Sequence, residues 1–229
     1  MLTKTASHTH VAPVHAGLGR NGSAAIANTL FGAATLPGAA MYFERNNEIY
    51  GEGEPADYVY KVLSGTVRTS KVLSDGRRQI GAFYLPGDTF GLEAGDEHTF
   101  CAEAMTDASV LVVKRSVVTA EAQKDSHVAR ELWVATACEL ARAQNHLMLL
   151  IKSAQERVAA FLLEMADRIP DKTGIELPMS RQDIADYLGL TIETVSRTLT
   201  HLESKAAIEL PRSRHIVLRN RSALARLNS

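Results

Sequence analysis

The residues with the most legible chemistry lie near the C-terminal end, in MSRQDIADYLGLTIETVSRTLTHLESKAAIEL, Met179 to Leu210. Glu193, Ser196, Arg197 and Thr200 recur at i, i+3, i+4 and i+7, so on a helix they share one face. Their types suit base edges: Arg can donate two bonds to guanine O6 and N7, and Glu can accept from cytosine N4. Ile192 or Ser196 can touch a thymine methyl or O4. Val195, Leu199 and Leu202 fall on the opposite face and predict a core.

The elements that must hold this helix are also written locally. Ser180 can cap an N-terminus by accepting a backbone N–H bond, and Ile184, Ala185 and Leu188 give the helix after it an apolar face. Gly189 can take the left-handed conformation that ends a helix, and Thr191 can cap the next one. Two short helices joined by a tight turn make a helix-turn-helix pattern, with the second helix suited to the major groove. Beyond it, Ile208 to Leu210 and His215 to Leu218 flank Pro211-Arg212-Ser213-Arg214, a small β wing with two arginines at its tip. Ile192, Glu193, Ser196 and Arg197 are the expected base readers. Ser180, Arg181, Thr191, Thr194, Thr200, Arg212 and Arg214 are the expected contacts to the DNA backbone.

The formal charge of −1 over 229 residues is an average that hides this field. Residues 1–170 hold 16 Lys/Arg against 19 Asp/Glu, whereas from Arg197 onward there are seven basic and two acidic residues. A local basic excess of this kind is what phosphate contacts need.

Upstream the texture changes twice. Residues 1–27 are poor in large apolar side chains and read as a mobile arm. His8, His10 and His15 lie there without Cys, Asp or Glu, so a flexible tail is expected rather than a metal site; a helix is expected around Ser23 to Leu30. From Met41 to about Arg115, runs of β-formers alternate with turn signals at Gly51, Gly53 and Pro55, Ser64-Gly65, Ser74-Asp75-Gly76 and Pro86-Gly87-Asp88. Strands recurring every eight to twelve residues predict a sandwich or jelly roll, ending with Val110 to Val113. Residues 116–153 contain no Pro or Gly and read as helical. Trp133, Ala137, Leu140, Gln144, Leu147, Ile151 and Ala154 alternate at spacings of four and three, a heptad seam. Val134, Cys138, Ala141 and Met148 broaden the apolar face. Such a helix can pack on its own β domain and on a twin, so a homodimer through Trp133, Leu140, Leu147 and Ile151 is expected. Ala154 to Arg168 predicts a further helix, with Val158, Phe161, Leu162 and Met165 inward.

With a β-roll, a long helix and a winged helix-turn-helix in this order, the chain resembles the CRP/FNR family of bacterial transcription regulators over about residues 28–225. LPGDTFGLE and ETVSRTLTHLE carry the resemblance. YKVLSGTVRTSKVLSDGRRQI and FLLEMADR look most like the FixK-type branch, which in rhizobia relays low-oxygen signals to respiratory and nitrogen-fixation genes. The FNR-like reading helix carries Glu, then Ser-Arg three and four residues on, as Glu193, Ser196 and Arg197 do here. The cyclic-AMP receptor branch has Gly in place of Ser196 and Arg in place of Ile192. The resemblance therefore implies an FNR-like TTGA…TCAA palindrome.

It also bears on effectors. Cyclic-nucleotide members hold the phosphate and ribose with a Gly-Glu pair and an Arg-Ser pair. Here Gly91 keeps the glycine, but Leu92 stands in place of the Glu, and His98 and Thr99 in place of the Arg-Ser pair. Without the fixed positive charge a buried phosphate would be poorly compensated. Glu93 is one residue off and is expected on the other face of a strand. Oxygen-sensing FNR proteins bind an iron–sulfur cluster through several N-terminal cysteines and one in the roll. Residues 1–40 contain none, and Cys101 alone cannot hold a cluster. His98 is conceivable as a haem ligand, though a structural or surface role is the expectation. No cofactor or metal is therefore expected, and the alternative is a nucleotide- or haem-gated sensor of the same family.

Ser180 is also a candidate position for redox modification. Exchange for its near-isostere Cys at this helix start would place an oxidisable thiol of lowered pKa where phosphate should lie. The plain N-cap is the simpler reading.

The expectation is thus an α+β chain. It comprises an arm (1–27), a jelly-roll-like β-roll (28–115), a dimerisation helix (116–153) and a winged helix-turn-helix domain (154–229). Its partners would be double-stranded DNA and RNA polymerase, the latter through roll loops around Lys71 to Arg78 and Gly91 to His98. An enzyme is not expected, since a cupin-type metal centre needs several histidines and residues 41–115 contain one, His98. No apolar run approaches 18 residues and no secretory pattern opens the chain. Two distant cysteines, Cys101 and Cys138, fit a reducing cytoplasm.

Overall fold

The computed structural model describes residues 29–31, 34–169 and 174–227. A short ribbon, β1 (Thr29–Phe31) and β2 (Ala34–Thr35), precedes eight strands. These are β3 (Gly38–Phe43), β4 (Glu48–Tyr50), β5 (Tyr58–Ser64), β6 (Val67–Val72), β7 (Arg78–Tyr84), β8 (Thr89–Phe90), β9 (Cys101–Ala104) and β10 (Ala108–Lys114). They form two antiparallel sheets, ordered β3-β10-β5-β8 and β4-β9-β6-β7. Three helices follow: α1 (Arg115–Ala122), α2 (Ser126–Leu150) and α3 (Ala154–Arg168). The C-terminal part is β11 (Ile175–Glu176), α4 (Arg181–Leu188), α5 (Ile192–Ser204), β12 (Ile208–Glu209), β13 (His215–Leu218) and α6 (Arg221–Leu227). Its three strands pair as β11-β13-β12. The architecture is α+β, as the pattern of turns and helical seams predicts.

The roll closes around Tyr50, Tyr60, Val62, Val67, Tyr84, Phe90 and Val110. A second apolar layer, Leu36, Val59, Leu111, Val113, Val118 and Val128, attaches α1 and the start of α2 to the roll.

Four local expectations are corrected. The helix expected around Ser23 to Leu30 falls mostly outside the described residues, as do the arm and its histidines, but Thr29 and Leu30 lie in strand β1. The helical stretch 116–153 is two helices rather than one. Asp125 is extended and accepts the His127 N–H, so it caps a new helix at Ser126. The heptad seam ends at Ile151, the C-cap of α2. Ser153 caps a separate helix with a reciprocal Ser153–Glu156 capping box, so Ala154 does not continue the seam. The first wing strand stops at Glu209, one residue short of Leu210.

One irregularity decides how the two halves meet. β6 and β7 pair from Val67–Tyr84 to Thr69–Ala82, then Ser70 pairs with Ile80, leaving Gly81 as an extra residue. A bulge of this kind interrupts side-chain alternation. Ala82 and Tyr84 consequently face the roll interior, while Phe83 and Ile80, three residues apart, both join the core of the C-terminal helices. Phe83 packs against Tyr187 of α4 with ring centroids 5.1 Å apart. The roll and the reading domain therefore share one apolar core, which also takes in Met105, Val158, Phe161, Leu162, Met165, Ile184, Leu188, Val195, Leu199 and Leu202.

Candidate nucleic-acid interface

The two helices of the reader are set by their caps. Ser180 Oγ accepts the Asp183 N–H at 3.1 Å, and the Asp183 carboxylate accepts the Ser180 N–H at 2.9 Å, a capping box that starts α4. Gly189 ends it at φ 62°, the left-handed C-cap. Thr191 Oγ1 accepts the Thr194 N–H at 3.2 Å and starts α5. Val195, Leu199 and Leu202 are buried, as their spacing predicts.

On the opposite face of α5, Ile192, Glu193, Ser196 and Arg197 line one shallow, open concavity. All four are exposed, as is Thr200 farther along the helix. The Glu193 carboxyl is held below the ordinary value by its own backbone N–H and the Thr191 hydroxyl, with Arg197 adding a favourable charge. It thus presents a carboxylate, an acceptor suited to an amino group. The wing forms by pairing β12 with β13, Ile208 opposite Leu218. Arg212 is exposed at its tip, and Arg214, half-buried, donates to the Pro178 carbonyl at 3.4 Å. Of the basic residues after Arg197, Arg219 and Arg221 are engaged by Glu209 and Asp167.

Ser180 and Arg181 are placed differently from a simple surface contact. The Ser180 hydroxyl donates to Asp183 Oδ2 at 2.7 Å, so it is taken up by the cap. Arg181 is half-buried, its Nη1 has no hydrogen-bond partner among the described residues, and burial lowers its pKa.

The side chains that seat the reader on the roll come from distant strands and carry no local motif. Asp183 Oδ1 accepts from Arg68 Nη1 and Arg78 Nη2, each at 2.7 Å. Arg78 also bonds Asp186, and Arg68 also bonds Glu103. Burial raises the Asp183 pKa, but the Ser180 bonds and the two arginines outweigh this and hold it below the ordinary carboxylate value. Arg157 donates to Leu150 O at 2.6 Å and to Leu188 O at 2.8 Å, capping the carbonyl ends of α2 and α4 with one guanidinium. The Ser-x-x-Asp signal of Ser180 and Asp183 was readable; their arginine partners more than 100 residues away were not.

The pocket between roll and α2 also differs from expectation. Gly91 to Glu93 is not strand, so Glu93 does not turn to an opposite face. It accepts from the Thr99 hydroxyl at 3.2 Å and lies 3.5 Å from His98 Nδ1. The pocket holds about 310 Å³ and is lined by Tyr84, Leu92, Glu93, Phe100, Glu139 and Arg142, among others. Two carboxylates face it, and Arg142 is already bound by Glu139 and Asp88. That is poor compensation for a buried phosphate. His98 is fully buried and stacks on Tyr50 with centroids 3.6 Å apart, so it is enclosed by the roll core. Among the described residues no cluster of three His, Cys, Asp or Glu could hold a metal, and no helix is long and apolar enough to cross a membrane.

Along α2 the outward face is bare. Trp133 is 75% exposed, Leu140 59%, Leu147 64% and Ile151 73%. So contiguous an apolar stripe marks an interaction surface.

A roll joined by a long helix to an exposed, capped reading helix with a wing defines a DNA-binding transcription regulator. Comparison with known proteins agrees. The Crp-like helix-turn-helix domain matches residues 156–227 and the cyclic nucleotide-binding domain residues 40–128. The chain is 54% identical to the nitrogen fixation regulation protein FixK of Azorhizobium caulinodans, over 84% of this chain and 80% of that one. It is 42% identical to FixK of Rhizobium meliloti, over 86% of this chain and 91% of that one. The solved structure of FixK2 from Bradyrhizobium japonicum matches with a TM-score of 0.81 at 53% identity, covering 85% of this chain and 98% of that one. The chain belongs to the CRP/FNR family and is a FixK-like DNA-binding regulator, not an enzyme.

Proposed function

We propose that this chain is a cytoplasmic transcription activator that binds FNR-like TTGA…TCAA palindromes as a homodimer, without a small-molecule effector. The observation that carries the reading is the joint exposure of Ile192, Glu193, Ser196 and Arg197 on one face of α5. Each base-reading contact contributes on the order of 1–3 kcal/mol of discrimination. Arg181, Thr191, Thr194, Thr200, Arg212 and Arg214 supply backbone contacts, which position the reader without carrying sequence. The bare stripe of α2 supports the dimer, since two readers on a two-fold axis suit half-sites about one helical turn apart.

Independence from an effector rests on the pocket under α2, where Glu93 and Glu139 stand with an arginine already neutralised. Activation through RNA polymerase follows the names of relatives, among them a transcriptional activatory protein of Rhodopseudomonas palustris at 41% identity. The exposed β6–β7 tip and the loop from Gly91 to His98 are the surfaces offered for that contact. A role in low-oxygen respiration or nitrogen fixation follows the FixK relatives in the same way.

The test is a gel-shift titration of purified protein on a TTGA-N6-TCAA duplex with no added ligand. Nanomolar binding that Arg197→Ala and Glu193→Ala both abolish supports the reading. Binding that appears after a cyclic nucleotide, haem or a reductant is added would establish a gated sensor instead.

A further inference from the structure

We propose that Asp183, with Arg68 and Arg78, is the positioning element that sets the angle of the reading helix on the roll, and through it the half-site spacing the dimer accepts. The proposal rests on the DNA-reading function above.

Four donors converge on this carboxylate. Oδ1 accepts from Arg68 and Arg78 at 2.7 Å each, and Oδ2 from the Ser180 N–H at 2.9 Å and hydroxyl at 2.7 Å. A carboxylate has about four acceptor sites, so none is left over. The side chain is 7% exposed and that of Arg68 11%. One group therefore does two things: it caps the scanning helix and receives two arginines from the roll. Asp186, one turn along the same face of α4, takes Arg78 Nε at 2.7 Å and gives the contact a second anchor point. Arg68 is itself oriented by Glu103, its cross-strand neighbour on β9.

The sheet is built to present these groups. Arg68 lies opposite Phe83 in the β6–β7 register, and Phe83 faces α4. The bulge at Gly81 turns Ile80 to the same side. Apolar contact between Phe83, Ile80 and Tyr187 holds the two halves together but is non-directional. Forked arginine–carboxylate bonds are directional, and in some proteins buried ion pairs specify geometry more than they add stability. A two-fold dimer must place its readers about 34–36 Å apart, so a small rotation of α4 on the roll moves α5 off register with the groove. An ionic seat fixed by the fold leaves no need for a ligand to set that angle.

The test is fluorescence anisotropy of the full chain on a TTGA-N6-TCAA duplex and on duplexes with the spacer one base pair shorter and longer. Arg68→Ala, Arg78→Ala and Arg78→Lys are compared with wild type, with melting temperatures measured alongside. Arg78 is partly exposed, so its variants test the idea even where Arg68→Ala fails to fold. The expected result is that Arg78→Ala loses about tenfold on the native spacing, the size of a typical coupling between two sites. Its preference over the shifted spacings should collapse to within about threefold, and Arg78→Lys, which keeps the charge but loses the fork that bridges Asp183 and Asp186, should restore little of it. Alanine variants that melt lower yet keep the wild-type spacing preference would overturn the proposal and leave the contact a structural one. Wild-type protein that binds none of the duplexes would overturn the function on which the proposal rests, and the proposal with it.

Discussion

His146 and Tyr187 meet twice: their rings stack with centroids 4.2 Å apart, and His146 Nε2 donates to the Tyr187 carbonyl at 2.7 Å. The first belongs to α2 and the second to α4, so this pair ties the helix with the bare outer stripe to the first helix of the helix-turn-helix. His146→Ala should cost about 1–2 kcal/mol, from one lost hydrogen bond and one lost ring contact. Urea unfolding would show it as a lower midpoint at unchanged slope.

Arg197→Lys keeps the charge and loses the fork. Arg197→Ala and Arg197→Lys should both bind a TTGA…TCAA duplex more weakly by at least about tenfold, the value of one bidentate base contact. Competition with duplexes altered at the guanine would check this. Discrimination at that base should vanish in both variants.

Arg212, exposed at the wing tip, should act on affinity without acting on sequence. Arg212→Ala is expected to weaken all duplexes alike and to reduce the slope of log K against log salt by about 1 per protomer. A titration at several salt concentrations reads this directly.

Asp183 gives a pH signature. Its folded pKa is held below the ordinary value by the Ser180 bonds and by Arg68 and Arg78, against a burial penalty. A depressed carboxyl contributes stability that is present above the unfolded pKa, about 4, and is lost as pH falls through the lower folded value. Wild-type stability should therefore fall on acidification below about pH 4, and Asp183→Asn, already less stable at neutral pH, should fall less steeply there. Denaturant unfolding at a series of pH values would check both slopes.

Leu140→Glu and Leu147→Glu place a carboxylate on the bare stripe of α2 without touching the monomer core. Each should shift the chain towards monomer in sedimentation equilibrium. The loss of affinity for a full palindrome should be far larger than for a single half-site, because paired sites multiply effective concentration.

Much of this arrangement was legible in local sequence, and the reason is the range of the interactions. Ser180, Gly189 and Thr191 act within four residues of themselves, so both reader helices and their break could be read directly. The faces of α3 and α5 followed from periodicity alone. What escaped depends on distance in the chain. Arg68 and Arg78 look like ordinary strand arginines until β6 and β7 are laid against α4. Arg157 looks like a solvated helix residue, yet it holds two helix ends. Glu93 faces the pocket because Gly91, at φ 75°, takes the chain out of strand geometry, and period-two reasoning does not apply there. The break at Asp125 has no signal in sequence, since neither Pro nor Gly marks it and the cap is a single side-chain bond.

The chain has one tryptophan, and it is Trp133 on the bare stripe of α2. An indole three-quarters exposed in the monomer would be desolvated when the stripe is covered. The emission of this one residue is therefore a label-free optical gauge of assembly, and dilution series followed by its colour would yield the dimer constant on unmodified protein.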